Sequence, residues 1–328
     1  LFGGFVATVI YLAVALAIAP FLQLSDYVLH ILTLFLIFGV FASGWNLTLG
    51  ILGLKTLGHH AFFAIGAYIS AIVAYYGGVS PWLTIWIGAL VASAAGVLIG
   101  FPILRIRSMP HVAIVTLAFA EIVRLIFSNL KDITRGELGF WGIPPFDPIT
   151  LGDTTLRFGI GNAIGSYALA AVIFVGVHLA LLALLTSRPG LTFLAIRDSE
   201  AAAESLGIRL SVWKLVAFSV SAAVVGLSGG VYAHYMMILT PISVAGPEML
   251  ITLLAMIIVG GVGRFFGPLL GALLLTVLSE LLREFGDFRM LLYGAVIIAF
   301  VFAAPQGLAG LKLPRLRDRA AAKRDRTA

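Results

Sequence analysis

The sequence contains no cysteine. Disulfide frameworks, zinc–thiolate sites and cysteine nucleophiles are thereby excluded. Charge is scarce as well. Asp, Glu, Lys and Arg together make up 11% of the 328 residues, where soluble domains carry about a quarter. A nucleotide-cradling loop is also missing. GILGLKT at 50–56 has a superficial likeness to one, but that loop needs glycine immediately before its lysine, and Leu54 stands there. No H-E-x-x-H spacing unites the six histidines, His30, His59, His60, His111, His178 and His234. Packing or capping is their expected role, and no metal site is expected. A G-x-S-x-G nucleophile elbow is absent too. A soluble enzyme falls away, and no catalytic residue is assigned.

What remains is hydrocarbon: 61% of the residues are hydrophobic. A bilayer core of about 30 Å needs roughly 20 apolar residues of helix, at about 1.5 Å each. Such runs recur along the chain. Only helices or a closed barrel satisfy the backbone in lipid, and long continuous runs favour helices over the short alternating strands of a barrel. The expectation is an all-α polytopic membrane helix bundle of about ten segments, at 4–22, 28–49, 59–77, 82–104, 111–128, 163–186, 214–236, 249–262, 267–284 and 289–306. The segment 249–262 is short and glycine-broken, so a full crossing is left open. The chain starts at Leu1 rather than Met, and further residues ahead of it are expected.

Lys and Arg set the orientation. The tail holds Lys312, Arg315, Arg317, Arg319, Lys323, Arg324 and Arg326, which places it in the cytoplasm. Counting back puts the loops at 50–58, 105–110, 187–213 and 260–266 on that side, with Lys55, Arg105, Arg107, Arg188, Arg197, Arg209 and Arg264. The opposite loops hold only Lys131, Arg135, Arg157 and Arg289. Both termini are expected inside. The chain divides into a transmembrane domain, 1–311, with a cytoplasmic loop 187–213 and an external loop 129–162, and a basic cytoplasmic tail, 312–328, that meets membrane lipid. The net charge of +6 sits mostly in that tail, so no nucleic-acid partner is expected. The external loop contains ELGFWGIPPFDP, in which Phe140, Trp141 and Phe146 give an apolar surface. It reads either as an interfacial aromatic belt or as a docking surface for an external partner.

Two features inside the apolar runs invite a functional reading. Glu121 and Arg124 stand three apart on one face of the 111–128 helix. A lone charge there costs on the order of 3 kcal/mol. The two are either a neutralised structural pair or the polar lining of a pathway. The second feature is glycine. Gly96-x-x-x-Gly100, Gly226-x-x-x-Gly230 and Gly263-x-x-x-Gly267-x-x-x-Gly271 have the spacing that lets membrane helices approach closely. GILGLKTLGHH (50–60) and GGVGRFFGP (260–268) are different. Gly53 and Gly58 in the first, and Gly260, Gly261 and Gly263 in the second, are expected to break a helix beside one cation, Lys55 or Arg264. Paired broken helices point to an internal repeat with a transport site between the halves. Chance similarity in a glycine-rich apolar chain is the rival reading.

Six stretches together resemble one family. They are GWNLTLGILGLKTLGHHAFFAIGAY (44–68), FPILRIRSMPHVAIVTLAFAEIVRL (101–125), FLAIRDSEAAAESLGI (193–208), KLVAFSVSAAVVGLSGGVYAHYMMILTP (214–241), IIVGGVGRFFGPLLGALLL (257–275) and APQGLAG (304–310). The family is that of permease subunits of ABC importers for branched-chain amino acids, of the LivM type. The resemblance implies that the charged, alanine-rich stretch LAIRDSEAAAESLGIR (194–209) carries a coupling helix that enters a groove of an ATPase subunit. Arg197, Asp198, Glu200, Ala202, Ala203 and Gly207 would form that contact. The general permease pattern there is E-A-A with glycine three residues on. Here Ala201 takes the glutamate position and Glu200 falls one place earlier. Local chemistry agrees with a short helix: alanine and glutamate favour it, Ser199 can cap it and Gly207 can end it.

The resemblance further implies a permease in the bacterial inner membrane, not an enzyme. Its partners would be a homologous second permease, forming a heterodimer, two cytoplasmic ATPases and a periplasmic substrate-binding protein. ATP and Mg would sit on the ATPases, with no cofactor on this chain. The expected cargo is branched-chain or other hydrophobic amino acids. The alternatives are a related importer for urea, an amide or another small solute, and an autonomous secondary transporter, for which Glu121 is the central ion-coupling candidate.

Overall fold

The computed structural model describes residues 24–106, 108–151, 154–159 and 161–310. The segment expected at 4–22 and the basic tail 312–328 lie outside the described residues. The apolar runs fold as helices. α1 (Asp26–Asn46) starts at Ser25, whose hydroxyl accepts from the Val28 N–H, and runs into a π-helical turn, Leu47–Ile51. α2 (His59–Gly77) and α3 (Pro81–Leu104) follow, then α4 (Met109–Asn129) and α5 (Ala163–Thr186). Two short helices, α6 (Arg188–Asp198) and α7 (Glu200–Ser205), lead to α8 (Leu210–Met236). The chain ends through α9 (Pro241–Ala245), α10 (Pro247–Gly260), α11 (Gly267–Leu281) and α12 (Arg289–Ala303).

The class is therefore all-α. Among the described residues, 8 helical segments are long and apolar enough to cross a membrane. Two details differ from the sequence reading. The segment expected to be short at 249–262 reaches back through α9, so that Pro241–Gly260 provides 20 residues with a break at Gly246. α11, with 15 residues, is the expected segment that falls outside those 8. That is about 22 Å of α-helix, less than a bilayer core, and 3-10 turns at Leu282–Phe288 extend it. A count of ten spans is not established, because one expected segment is undescribed and another is short.

α8 packs along α3 and α2, while α1 packs against α5, α8 and α11, and α10 against α11. Glycine permits this closeness. A Cβ at Gly88 would come within 2.6 Å of the Gly66 carbonyl oxygen, and one at Gly96 within 2.7 Å of the Ala222 Cβ. Neither position accepts a side chain without moving a helix.

At one end of the bundle, the described residues of 129–159 fold back over the helices. β1 (Phe140–Trp141) and the antiparallel ribbon of β2 (Ile149–Leu151) and β3 (Thr154–Leu156) lie in this loop, and β1 pairs antiparallel with β4 (Ile238–Leu239). The expected apolar surface is corrected here. Phe140 and Phe146 are buried, because Phe140 packs against Tyr75 and Tyr76, and Phe146 against Trp82 and His234. Trp141 and Leu138 stay exposed, with the Arg135 guanidinium 3.9 Å from the centre of a Trp141 ring.

Candidate functional site at the junction of two broken helices

Beyond the π turn the chain is irregular from Leu52 to Gly58, yet largely buried. Broken backbone at membrane depth persists only where its polar groups find partners. Leu54 N–H donates to the Thr48 carbonyl at 2.9 Å, and Leu57 N–H to the Thr116 hydroxyl at 2.9 Å. His59 completes the cover. Ser221 donates its hydroxyl proton to the Gly44 carbonyl at 2.6 Å, so its oxygen accepts from His59 Nε2–H at 2.9 Å. In the neutral ring Nδ1 then accepts from the Thr56 hydroxyl at 3.1 Å. Trp45 stacks on the same imidazole and donates to Thr56. His178 and His234 are likewise buried. Each donates from Nδ1 to a carbonyl, of Phe174 or Pro144, at 2.7 Å; His178 Nε2 accepts from Ser43, and His234 Nε2 lies within hydrogen-bond distance of the Ser70 and Thr84 hydroxyls.

The second break is Gly261–Phe266, and it lies against the first. Asn46, at the end of α1, holds both sides of its turn. Its Oδ1 accepts from Gly263 N–H at 2.9 Å, and its Nδ2 donates to the Arg264 carbonyl at 3.0 Å. Gly50 meets Gly263 so closely that a Cβ at Gly263 would lie 2.8 Å from the Gly50 carbonyl oxygen. Arg264 donates onward to the Ala309 carbonyl. The glycines expected to break helices fall as follows. Gly53, Gly261 and Gly263 adopt positive φ (84°, 118° and 76°). Gly58 and Gly260 lie against the Thr116 and Gly267 carbonyls, where a Cβ would collide. The two breaks that the sequence relates as a repeat thus touch.

The charged stretch 188–209 approaches the same junction. α6 is anchored by buried Phe193 and Ile196. Ser199 then caps α7, its hydroxyl accepting from Ala202 N–H at 3.2 Å. The helix ends with Ile208 N–H donating to the Ala203 carbonyl at 3.1 Å and Gly207 at φ 81°, the left-handed close that glycine favours. Glu200 pairs with Lys214 at 2.7 Å, fastening α7 to α8. Ala202, Glu204, Leu206 and Gly207 face outward, whereas Ala203 is buried against its own chain. Of the two alanines assigned to the coupling contact, Ala202 is the outward one. Arg197 pairs with Asp198 at 3.2 Å. Its stem passes Gly53, where a Cβ would lie 3.1 Å from Arg197 Cγ, and its guanidinium faces Gly263, where a Cβ would lie 3.6 Å from a terminal nitrogen. The loops 50–58, 187–213 and 260–266 therefore share one end of the bundle.

Glu121 and Arg124 stand apart from this junction on α4. Arg124 Nε donates to both carboxylate oxygens at 3.0–3.1 Å, and a second nitrogen donates at 2.5 Å. The Glu121 side chain is 50% exposed on the surface of the chain, amid exposed Leu117, Ile122 and Leu125. An apolar groove of about 630 Å³ runs between α3, α5 and α8, past Trp86, Leu90, Val172 and Val224. Ser93, bonded to Ser219 at 2.7 Å, is its polar spot. Such walls suit hydrocarbon and offer no charge for an amino-acid head group.

Asn46 and Ser221 are the site residues that sequence reasoning passed over, while His59 was expected only to pack or cap. Their signal was present: an amide, an imidazole and a hydroxyl in apolar surroundings must find partners. The partners lie more than 150 residues away, at spacings of 162 for His59 with Ser221 and 217 for Asn46 with Gly263.

A polytopic bundle whose broken helices meet beneath an exposed, capped helix has the architecture of a transport permease. The chain belongs to the family described as branched-chain amino acid transport system / permease component, whose model matches residues 27–301. It is 35% identical over 320 residues to the high-affinity branched-chain amino acid transport system permease protein LivM of Escherichia coli, covering 92% of this chain and 74% of that one. To LivM of Salmonella typhimurium it is 34% identical over 336 residues, covering 96% and 78%. A more distant relative is the probable branched-chain amino acid transport permease protein LivH of Methanocaldococcus jannaschii, 23% identical over 298 residues, covering 84% and 89%. No solved structure matches the chain.

Proposed function

We propose that this chain is one of two homologous permease subunits in an ATP-driven importer of branched-chain or related hydrophobic amino acids. The observation that carries the reading is α7. It is a capped helix at the end of the bundle, with Ala202, Glu204 and Leu206 outward, on a chain related to both LivM and LivH permeases. Leu206 is 80% exposed among charges, which suits a groove on a partner protein better than water or lipid. Two ATPases binding ATP and Mg would take up α7 on the cytoplasmic side of a bacterial inner membrane, where both termini would lie. A substrate-binding protein would dock at the opposite end, near exposed Trp141 and Leu138. Substrate can shift the bundle only by its differential affinity for two states, so ATP supplies the remaining drive through α7. This chain then carries no cofactor and performs no chemistry of its own.

Purification of the tagged chain from its own membranes tests the reading. ATPase subunits are expected to accompany it, and proteoliposomes holding the complex and its binding protein are expected to accumulate leucine only with ATP inside the ATPase-facing compartment. Uptake of urea or an amide in place of leucine selects the related-importer alternative. Uptake by the chain alone, without ATPases, makes it a secondary transporter and overturns the proposal.

A further inference from the structure

The stretch 193–208 would ordinarily be read as a surface turned toward the ATPase. Arg197 does not fit that description. It follows buried Ile196 in the last turn of α6, and Ser199 opens α7 two residues later. Its side chain is 37% exposed and runs along the junction. The aliphatic stem lies over Gly53 in the first break and the guanidinium lies beside Gly263 in the second. Both glycines have positive φ, a conformation that side chains other than glycine enter only with strain. Each is therefore a point where the backbone turns sharply and has no Cβ to hold Arg197 off. Asn46 ties the second break to α1, and the Gly50 carbonyl abuts Gly263.

We propose that Arg197 is the positioning residue that transmits movement of α7 to the two helix breaks, so that residues 47–58 and 260–266 respond together rather than one after the other. Four observations support it. Asp198 pairs with Arg197 and steadies the guanidinium. Phe193 and Ile196 root α6 in the core. Lys214 holds Glu200 and keeps α7 from swinging free of α8. Gly53 and Gly263 belong to different broken helices, and one side chain reaches both. A displacement at Ser199 therefore arrives at the junction as a push or pull on two backbones at once. Coupling needs an element with two discrete arrangements that the distant site biases, and a pair of glycine turns pinned to one another supplies it.

The inference rests on the importer reading, and its test separates the two. The absence of native cysteine makes Leu54→Cys a clean reporter, since Leu54 is buried inside the first break. The whole complex is reconstituted with its ATPases, and maleimide labelling of that cysteine is followed with and without vanadate trapping. In the otherwise native complex, trapping is expected to change the labelling rate. Arg197→Met keeps the stem over Gly53 and removes the guanidinium beside Gly263. It is expected to abolish the trapping-dependent change and to lower uptake per ATP hydrolysed by about tenfold, the size of an ordinary coupling free energy. Arg197→Lys, which keeps stem and charge but not the fork, is expected to fall between and replaces Met if that variant fails to insert. An unaltered labelling response in these variants overturns the proposal. So does release of the ATPases, because Arg197 would then be a partner contact. If the unmodified complex shows no ATP-dependent uptake, it is the importer reading that falls.

Discussion

Gly263 donates its backbone N–H to Asn46 Oδ1 at 2.9 Å across 217 residues of sequence. One amide side chain at the end of α1 thereby fixes the turn of a second broken helix, because its Nδ2 also donates to the Arg264 carbonyl. Asn46 is buried, so water does not replace these bonds easily. Asn46→Ala leaves the part-buried Gly263 N–H and Arg264 carbonyl without their partner, at up to roughly 1–3 kcal/mol each. Asn46→Asp keeps the acceptor for Gly263 but sets a carboxylate against the Arg264 carbonyl. Both variants are expected to melt below wild type in nanodiscs and to lose uptake, and a wild-type melting temperature for Asn46→Ala would count against the junction.

His59 is expected to matter as a hydrogen-bond partner more than as a ring. His59→Phe retains an aromatic face for Trp45, whose ring centre lies 5.5 Å from the imidazole. It removes the acceptor for Thr56 and the donor to Ser221. The expected loss is roughly 1–3 kcal/mol for the orphaned groups, felt locally. Hydrogen exchange should rise across residues 47–58 while α5 and α12 keep their protection. Uniform protection in the variant would mean that the break is held by something else.

Gly207 offers a test in which space and conformation separate. Its φ is 81°, and a Cβ there would meet nothing within 4 Å. Within this chain the penalty is therefore one of backbone conformation, about 1–2 kcal/mol for an ordinary L residue in the left-handed region. Asn tolerates that region, whereas β-branched Val does not. Gly207→Asn is expected to transport nearly as wild type. Gly207→Val is expected to unwind the end of α7 and to lower uptake per ATP hydrolysed while the spans still insert. Equal behaviour of the two variants would remove the left-handed close from the account.

The helices were legible because hydrocarbon runs of membrane length leave the backbone few alternatives. His59–Gly77 and Ala163–Thr186 fall where the apolar runs begin and end. α7 was legible from Ser199 and Gly207, whose cap and close depend only on neighbours in sequence. The paired breaks were visible as glycine clusters, but their contact was not, since Asn46 and Gly263 carry no mark of each other. Burial within the loop after α4 was misjudged for a related reason. Phe140 and Phe146 look like surface aromatics until Tyr75, Tyr76 and Trp82, from α2 and α3, are brought over them.

Glu121 and Arg124 lie one helical turn apart and bond through three contacts of 2.5–3.1 Å. The arrangement neutralises both charges locally, without help from another helix. Either residue alone in a span costs on the order of 3 kcal/mol, and breaking the pair leaves the remaining charge uncompensated. Glu121→Gln and Arg124→Gln are each expected to reduce assembly or uptake. The double substitution restores neutrality with two amides that can bond to one another, and it is expected to recover much of the loss, because under the proposed function ATP would supply the driving force and transport would need no proton site. The half-exposed Glu121 side chain gives the contrary result a clear meaning. A double variant that assembles normally but stays inactive would show that this carboxylate lines the route. Uptake per assembled complex for the two singles and the double decides between these outcomes.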